Sequence, residues 1–248
     1  MKVAGIIEAR MGSSRLPGKV MLPFGEEPAL GLLLKRVSCA DKLDEVIVAT
    51  TEEKGDLPII RFCEKIGVKS FRGSENDVMK RVLDTARHCE ADLICELMGD
   101  SPFLDPNEIN RAITEYQARD CDYLSNFWPE NTYPLGFAVQ VYRTEVLSRA
   151  EKMTQDPVDR SHVTTFIYQN PDLFVLEGIK APSECHAPDL RMALDQSEDY
   201  EAMQEVFEGI KGSENPFFSM KDCIRFLRNN PRVIKINQNV RVKKIEEG

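Results

Sequence analysis

No stretch of the 248-residue sequence stays apolar for the roughly 18 to 20 residues that a membrane-spanning helix needs. The opening MKVAGIIEARMG runs straight from a short apolar stretch into charge and lacks the small-residue cleavage site of a signal peptide. It reads as a first β-strand, and the chain as cytoplasmic. Basic character is also missing, since the net charge is −9. That excludes a general nucleic-acid binder, which needs a basic face to displace counterions. None of the seven cysteines (39, 63, 89, 95, 121, 185 and 223) forms a C-x-x-C pair, and their number is odd. Thiols in a reducing compartment are expected, not a disulfide framework. The adjacent pairs His88-Cys89 and Cys185-His186 lack the spacing by which zinc ligands converge. There is no Ser-His-Asp or Cys-His signature, no G-x-G-x-x-G and no G-x-x-x-x-G-K-[ST], because Lys19 is followed by Val20.

What is present is an alternation of apolar runs and amphipathic stretches. Strands are expected at Val3 to Glu8, Glu45 to Thr51, Val68 to Phe71 and Asp92 to Met98. Helices are expected at Ala29 to Ala40, Leu57 to Ile66 with Gly67 as stop, Glu75 to His88, and from Pro106 on. Through about residue 119 this is the pattern of a doubly wound parallel sheet. The second half is less regular. Strands are read at Tyr123 to Asn126, Phe137 to Tyr142, Phe174 to Ile179 and Leu190 to Leu194, with helices at Thr144 to Lys152 and Ser197 to Phe207. No linker and no internal repeat interrupts the chain. One domain over 1–248 is expected, with a frayed tail from Val240 to Gly248.

The strongest chemical signal is EARMGSSRLPGK, Glu8 to Lys19, which follows the first strand. It therefore lies at a strand's carboxyl end, where open α/β sheets bind ligands. Gly12 and Gly18 let the backbone approach a ligand, Ser13 and Ser14 can donate hydrogen bonds, and Arg10, Arg15 and Lys19 supply positive charge. This combination suits phosphate oxygens. GDSP, Gly99 to Pro102, ends another strand, and Asp195 follows a later apolar run. Two such aspartates could share one magnesium ion, which takes only one or two protein carboxylates.

The run IIEARMGSSRLPGKVM closely resembles the opening of the cytidylyltransferases that form CMP-sugars from acylneuraminate or 3-deoxy-manno-octulosonate, and is nearest to the spore coat polysaccharide biosynthesis protein F branch. FRGSENDVMKR, GDSPFLDP, RSHVTTFIYQNPDLF and LRMALDQSEDY resemble further blocks of that branch in order. The resemblance implies a Rossmann-like nucleotidyltransferase fold, a mostly parallel central sheet flanked by helices, with a more irregular second half. It also implies a homodimer and transfer of CMP from CTP to an acidic sugar. Arg10, Arg15 and Lys19 would act on the triphosphate with Ala9, Gly12, Ser13 and Ser14. Arg72, Gly73, Ser74 and Asp77 would lie near base and ribose, Asp100 and Asp195 would bind Mg2+, and Tyr133, Gly136 and His162 would lie near a small anionic acceptor. Trp128 and Tyr133 either wall that pocket or anchor their loop, and His162 is either a substrate contact or structural.

The chain departs from the family pattern at Glu8, where glutamine is usual, at Glu96, where arginine is usual, and at Met98, Ala138 and Gln140. These positions put acceptor choice, not triphosphate binding, in question. A non-sugar acceptor such as a phosphonate is one alternative. A nucleotide-binding partner of a glycosyltransferase, itself inactive, is the other.

Overall fold

The computed structural model describes residues 1–241. Strand β1 (Val3–Glu8) leads through the glycine loop and a 3-10 turn at Lys19–Met21 to a two-stranded ribbon, β2 (Pro23–Phe24) and β3 (Glu27–Pro28). There follow α1 (Ala29–Val37), β4 (Glu45–Thr51), α2 (Leu57–Ile66), β5 (Lys69–Gly73), α3 (Val78–His88), β6 (Leu93–Met98) and α4 (Pro106–Gln117). The second half contains β7 (Tyr123–Ser125), β8 (Gln140–Arg143), α5 (Thr144–Met153), α6 (Pro157–Ser161), α7 (Thr165–Gln169) and β9 (Leu176–Gly178). It ends with α8 (Ser197–Gly209), α9 (Met220–Asn229) and α10 (Pro231–Asn237).

Seven strands form the central sheet in the order β5-β4-β1-β6-β8-β7-β9. Only β8 runs against the others, pairing antiparallel with both β6 and β7. Side chains alternate between the faces, as the two-residue period of a strand requires. From β1, Val3 and Ile7 join the core under α1, α4 and α8, while Ala4 and Ile6 join the core under α3 and α5. Because both faces are covered there, the inner strands β1, β4 and β6 read as largely apolar runs.

Local chemistry fixes the element ends. Asp77 caps α3 by accepting from the Lys80 N–H at 2.9 Å, and Asp105 caps α4 ahead of Pro106. Gly67 closes α2 at φ 74, a left-handed value that suits glycine. The strand expected at Leu190 to Leu194 does not form. Leu190 and Met192 to Leu194 are buried, but among the described residues this segment makes a single bridge, Leu135 to Arg191, and Leu194 then donates to the Asp100 carbonyl at 2.8 Å. Several ends also differ: α1 stops at Val37, α3 starts at Val78, and β8 starts at Gln140 because the preceding residues run without a ladder partner. The ribbon β2-β3 and helices α6, α7, α9 and α10 add to the expected elements. Of the tail, Val240 still donates to the Asn237 carbonyl at 3.0 Å, and 242–248 lie outside the described residues.

After β1 the chain moves outward to β4 and β5, then returns to place β6 on β1's other side. Strand order reverses there, so a crevice opens at the carboxyl ends of β1 and β6, the place where such sheets hold ligands. Gly99 lets the two strand ends close up: its N–H donates to the Glu8 carbonyl at 2.9 Å, and a Cβ there would stand 2.4 Å from that oxygen.

Candidate active site

The glycine loop is shaped by its own backbone. The N–H groups of Ser13 and Gly18 both donate to the Met11 carbonyl at 2.9 Å, and Gly18, at φ 73, turns the chain into Lys19–Met21. Buried Asp56 accepts from the Met11 N–H at 2.7 Å while holding the hydroxyls of Thr50 and Thr51. It was not among the expected residues, since nothing in its sequence neighbourhood links it to the loop.

The loop delivers Lys19 to the two aspartates expected from sequence. Its Nζ lies 2.7 Å from Asp100 Oδ2 and 2.8 Å from Asp195 Oδ1. Burial works against the Lys19 charge, but Asp100 and Asp195 outweigh it and hold its pKa above 10.5. Burial likewise opposes the Asp195 carboxylate, and Lys19, Arg15 and Arg191 outweigh that, drawing its pKa below 3.8. Arg15 Nη2 reaches Asp195 Oδ1 at 3.1 Å, and Arg191 Nη2 reaches its Oδ2 at 2.9 Å. Behind them, fully buried Asp199 accepts from Arg191 Nε at 2.7 Å, from the Asp195 N–H at 3.1 Å and from Asn237 Nδ2 at 3.0 Å. This fixes Asp195 from three elements. The support from α10 was invisible in sequence because its partners lie some 40 positions away.

Around these groups lies a cleft of about 690 Å³. Ala9, Arg10, Ser13, Ser14, Arg15 and Lys19 line its phosphate-loop end, with Asp100 and Asp195. His162 and Trp128 line the rest, alongside Tyr123, Gln140 and Thr164. Several expected residues are not among the lining. Gly12 sits behind the loop, where a Cβ would meet Glu75 Oε1 at 3.4 Å. Arg72 donates to the Thr51 carbonyl at 3.1 Å, tying β5 to β4, and Gly73 packs on Arg81. Ser74 accepts from the Asp77 N–H at 3.0 Å, and Asp77 pairs with Arg160 at 2.5 Å. Tyr133 and Gly136 do not line the cleft either. Tyr133 is fully buried, stacks on Phe127 and donates to Glu108 Oε2 at 2.8 Å, so it anchors its loop. Gly136, at φ 104, lets the chain pass Met192, whose carbonyl oxygen a Cβ would meet at 2.3 Å.

The cleft also holds acids of a different kind. Glu8 and Glu96 project from the neighbouring strands β1 and β6 to the same side of the sheet, and each carboxyl group acts on the ionisation of the other. Burial, then the charge of Glu8, pushes the Glu96 carboxyl well above 4.5. Burial also raises Glu8, against the opposing charge of Arg81, whose Nη2 is 3.9 Å from Glu8 Oε2. The hydroxyl of Tyr142 donates to Glu96 Oε2, and Gln140 Nε2 donates to Oε1 at 3.2 Å. Among the described residues, Glu8 Oε1 and Arg81 Nε have no hydrogen-bond partner.

A switch-point crevice with a glycine loop, three cations and two converging carboxylates at one end is the arrangement of a nucleotidyltransferase. The chain belongs to the cytidylyltransferase family, whose model it matches over residues 4–235, and is a CTP-dependent nucleotidyltransferase. It is 33% identical over 235 residues to the spore coat polysaccharide biosynthesis protein SpsF of Bacillus subtilis, covering 91% of this chain and 94% of that one. It is 32% identical over 118 residues to the 8-amino-3,8-dideoxy-manno-octulosonate cytidylyltransferase of Shewanella frigidimarina, covering 47% and 48%. A solved cytidylyltransferase of Leptospira borgpetersenii superposes with a TM-score of 0.87 at 31% identity, over 98% of this chain and 100% of that one.

Proposed function

We propose that this enzyme, as one nucleotidyltransferase domain, transfers CMP from CTP to an anionic sugar acceptor for polysaccharide or glycoconjugate assembly. An acceptor oxygen attacks the α-phosphorus, the bond from that phosphorus to the bridging oxygen of the β-phosphate breaks, and pyrophosphate leaves. The observation that carries the reading is the meeting of Lys19, Arg15, Asp100 and Asp195 at the foot of the glycine loop. Such a reaction needs in-line positioning and neutralisation of the leaving group, and no covalent nucleophile on the protein. Arg10, Arg15, Lys19 and the loop serines supply positive charge and hydrogen-bond donors at the cleft's phosphate end.

The donor set also suits magnesium. Asp100 and Asp195 turn hard oxygen ligands toward a single point, the one the Lys19 ammonium contacts. When bound there with the nucleotide, Mg2+ would supply charge neutralisation for the triphosphate, and Lys19 would be released toward the phosphates.

Pyrophosphate release, measured with CTP, UTP, GTP and ATP against ulosonate acceptors, tests the reading. CTP should be preferred. Asp100→Asn and Lys19→Met should each lower turnover by about 100-fold or more, the size expected for a group acting on developing charge. Equal rates for both variants and the parent protein would sink the assignment.

A further inference from the structure

The cleft holds two kinds of charged side chain, and the difference bears on the acceptor. Arg10, Arg15 and Lys19 can take a triphosphate. Glu8 and Glu96 line the same cleft, with the hydroxyls of Tyr123 and Thr164 turned to Gln140 Oε1 at 2.6 Å each. Against the two carboxyl groups a triphosphate would meet strong repulsion. A cationic group of the acceptor suits them, with an acceptor carboxylate or phosphate turned toward the cations.

We propose that the paired carboxyl groups of Glu8 and Glu96 form a subsite for a protonated amino group on the acceptor. This assignment rests on the cytidylyltransferase reading and specifies its substrate class. Geometry supports it first. Glu96 is almost wholly buried, at 2% exposure, in the middle of a strand whose other side chains are apolar. Such a position is costly for an acid unless something specific uses it. Arg81, 3% exposed and lining the same cleft, is the cation nearest to Glu8, yet it stands 3.9 Å away, beyond hydrogen-bond reach. It leaves Glu8 Oε1 without a hydrogen-bond donor among the described residues.

Charge balance supports it second. Burial favours the protonated forms of both carboxyls, and the charge of Glu8 adds to this at Glu96. At Glu8, Arg81 and Arg10 oppose it and Asp100 adds to it. An ammonium between the two carboxyls would let both ionise, whereas a hydroxyl brings no charge and can donate to only one carboxylate. A buried site built for a charged donor discriminates strongly against an analogue lacking it, since its own polar groups are then left unpaired.

The test uses a matched pair of acceptors, 8-amino-3,8-dideoxy-manno-octulosonate and its 8-hydroxy counterpart, with CTP and magnesium. A second matched pair, glucosamine 1-phosphate and glucose 1-phosphate, samples a different scaffold. The amino member of at least one pair should have a kcat/KM about tenfold or more above its partner. Glu96→Gln and Glu8→Gln should each bring that ratio close to one. A CTP-induced rise in melting temperature, recorded for each variant, shows that it is folded and holds the nucleotide. Equal use of amino and hydroxy members, or CTP binding with no amino acceptor turned over, overturns the subsite. A ratio unchanged in both variants does so too, because the carboxyls are then structural only. Absence of CTP binding by the parent protein would instead bring down the cytidylyltransferase reading beneath it.

Discussion

Glu96 occupies a position where an alanine or valine would pack without penalty, and its ionisation makes a prediction at the scale of one residue. A carboxyl whose folded pKa exceeds its unfolded one binds its proton more tightly in the fold. Its contribution to stability is therefore complete below about pH 4.5 and is lost as pH rises toward the raised folded value. Glu96→Gln keeps the acceptor for the Tyr142 hydroxyl but sets an N–H against Gln140 Nε2, and it does not titrate. The variant should match or fall below the parent near pH 4.5 and exceed it at pH 8. The gap should be at least about 1 kcal/mol, given that a tenfold change in proton affinity is worth about 1.4 kcal/mol. Urea unfolding at the two pH values measures it, and parallel pH profiles for both proteins would contradict the account. The residue types of the phosphate end were legible in sequence because they sit in one continuous loop and two strand ends. The Glu8–Glu96–Arg81 contact was not, because it joins two strands and a helix that only the sheet's register brings together.

Helix α1 shows how an element is tied down far from the site. Arg36 is fully buried and, among the described residues, has no carboxylate partner; instead it donates to the carbonyls of Leu104 at 3.1 Å, Phe103 at 3.0 Å, Phe218 at 2.8 Å and Pro216 at 2.5 Å. Its guanidinium lies 4.1 Å from the Phe218 ring centroid, and burial lowers its pKa. It thus fastens the segment after β6 and the approach to α9 onto α1. Arg36→Met fills similar volume but removes the donor from four carbonyls. A loss of about 3 kcal/mol or more is expected in denaturant unfolding, since each buried group left unpaired costs about 1 to 3 kcal/mol. A loss under 1 kcal/mol would mean that water replaces the guanidinium there. The elements of the first half were legible because two-sided burial makes the inner strands β1, β4 and β6 largely apolar. The Leu190–Leu194 misreading has the same root: an apolar, buried run marks an extended segment but does not say whether a neighbouring strand exists to pair with it. Helix α9 did carry a signal, the Ser219–Asp222 capping box, which has the S-x-x-D spacing of a helix start.

At the scale of the whole molecule, a protein of net charge −9 must attract a polyanion through a few local cations, and carboxylates already engage one of them. Lys19 is held between Asp100 and Asp195, and Arg15 also touches Asp195. A bare triphosphate entering the loop must pull Lys19 away and then face two uncompensated carboxylates. With magnesium supplied, the carboxylates keep a cation and Lys19 is free to turn to the phosphates. CTP should therefore raise the melting temperature much more with magnesium than with a chelator. At about 100 times the dissociation constant the gain is roughly 2.7 kcal/mol, several degrees for a chain of this size. Replacing both aspartates by asparagine should invert the dependence: Lys19 is then unpaired, so CTP alone should stabilise the variant while magnesium adds little, even though turnover is lost. If CTP instead stabilised the parent protein equally with and without magnesium, the aspartate pair would be a clamp for Lys19 and not a metal site. The phosphate loop would then bind its nucleotide through Arg10, Arg15 and backbone donors alone.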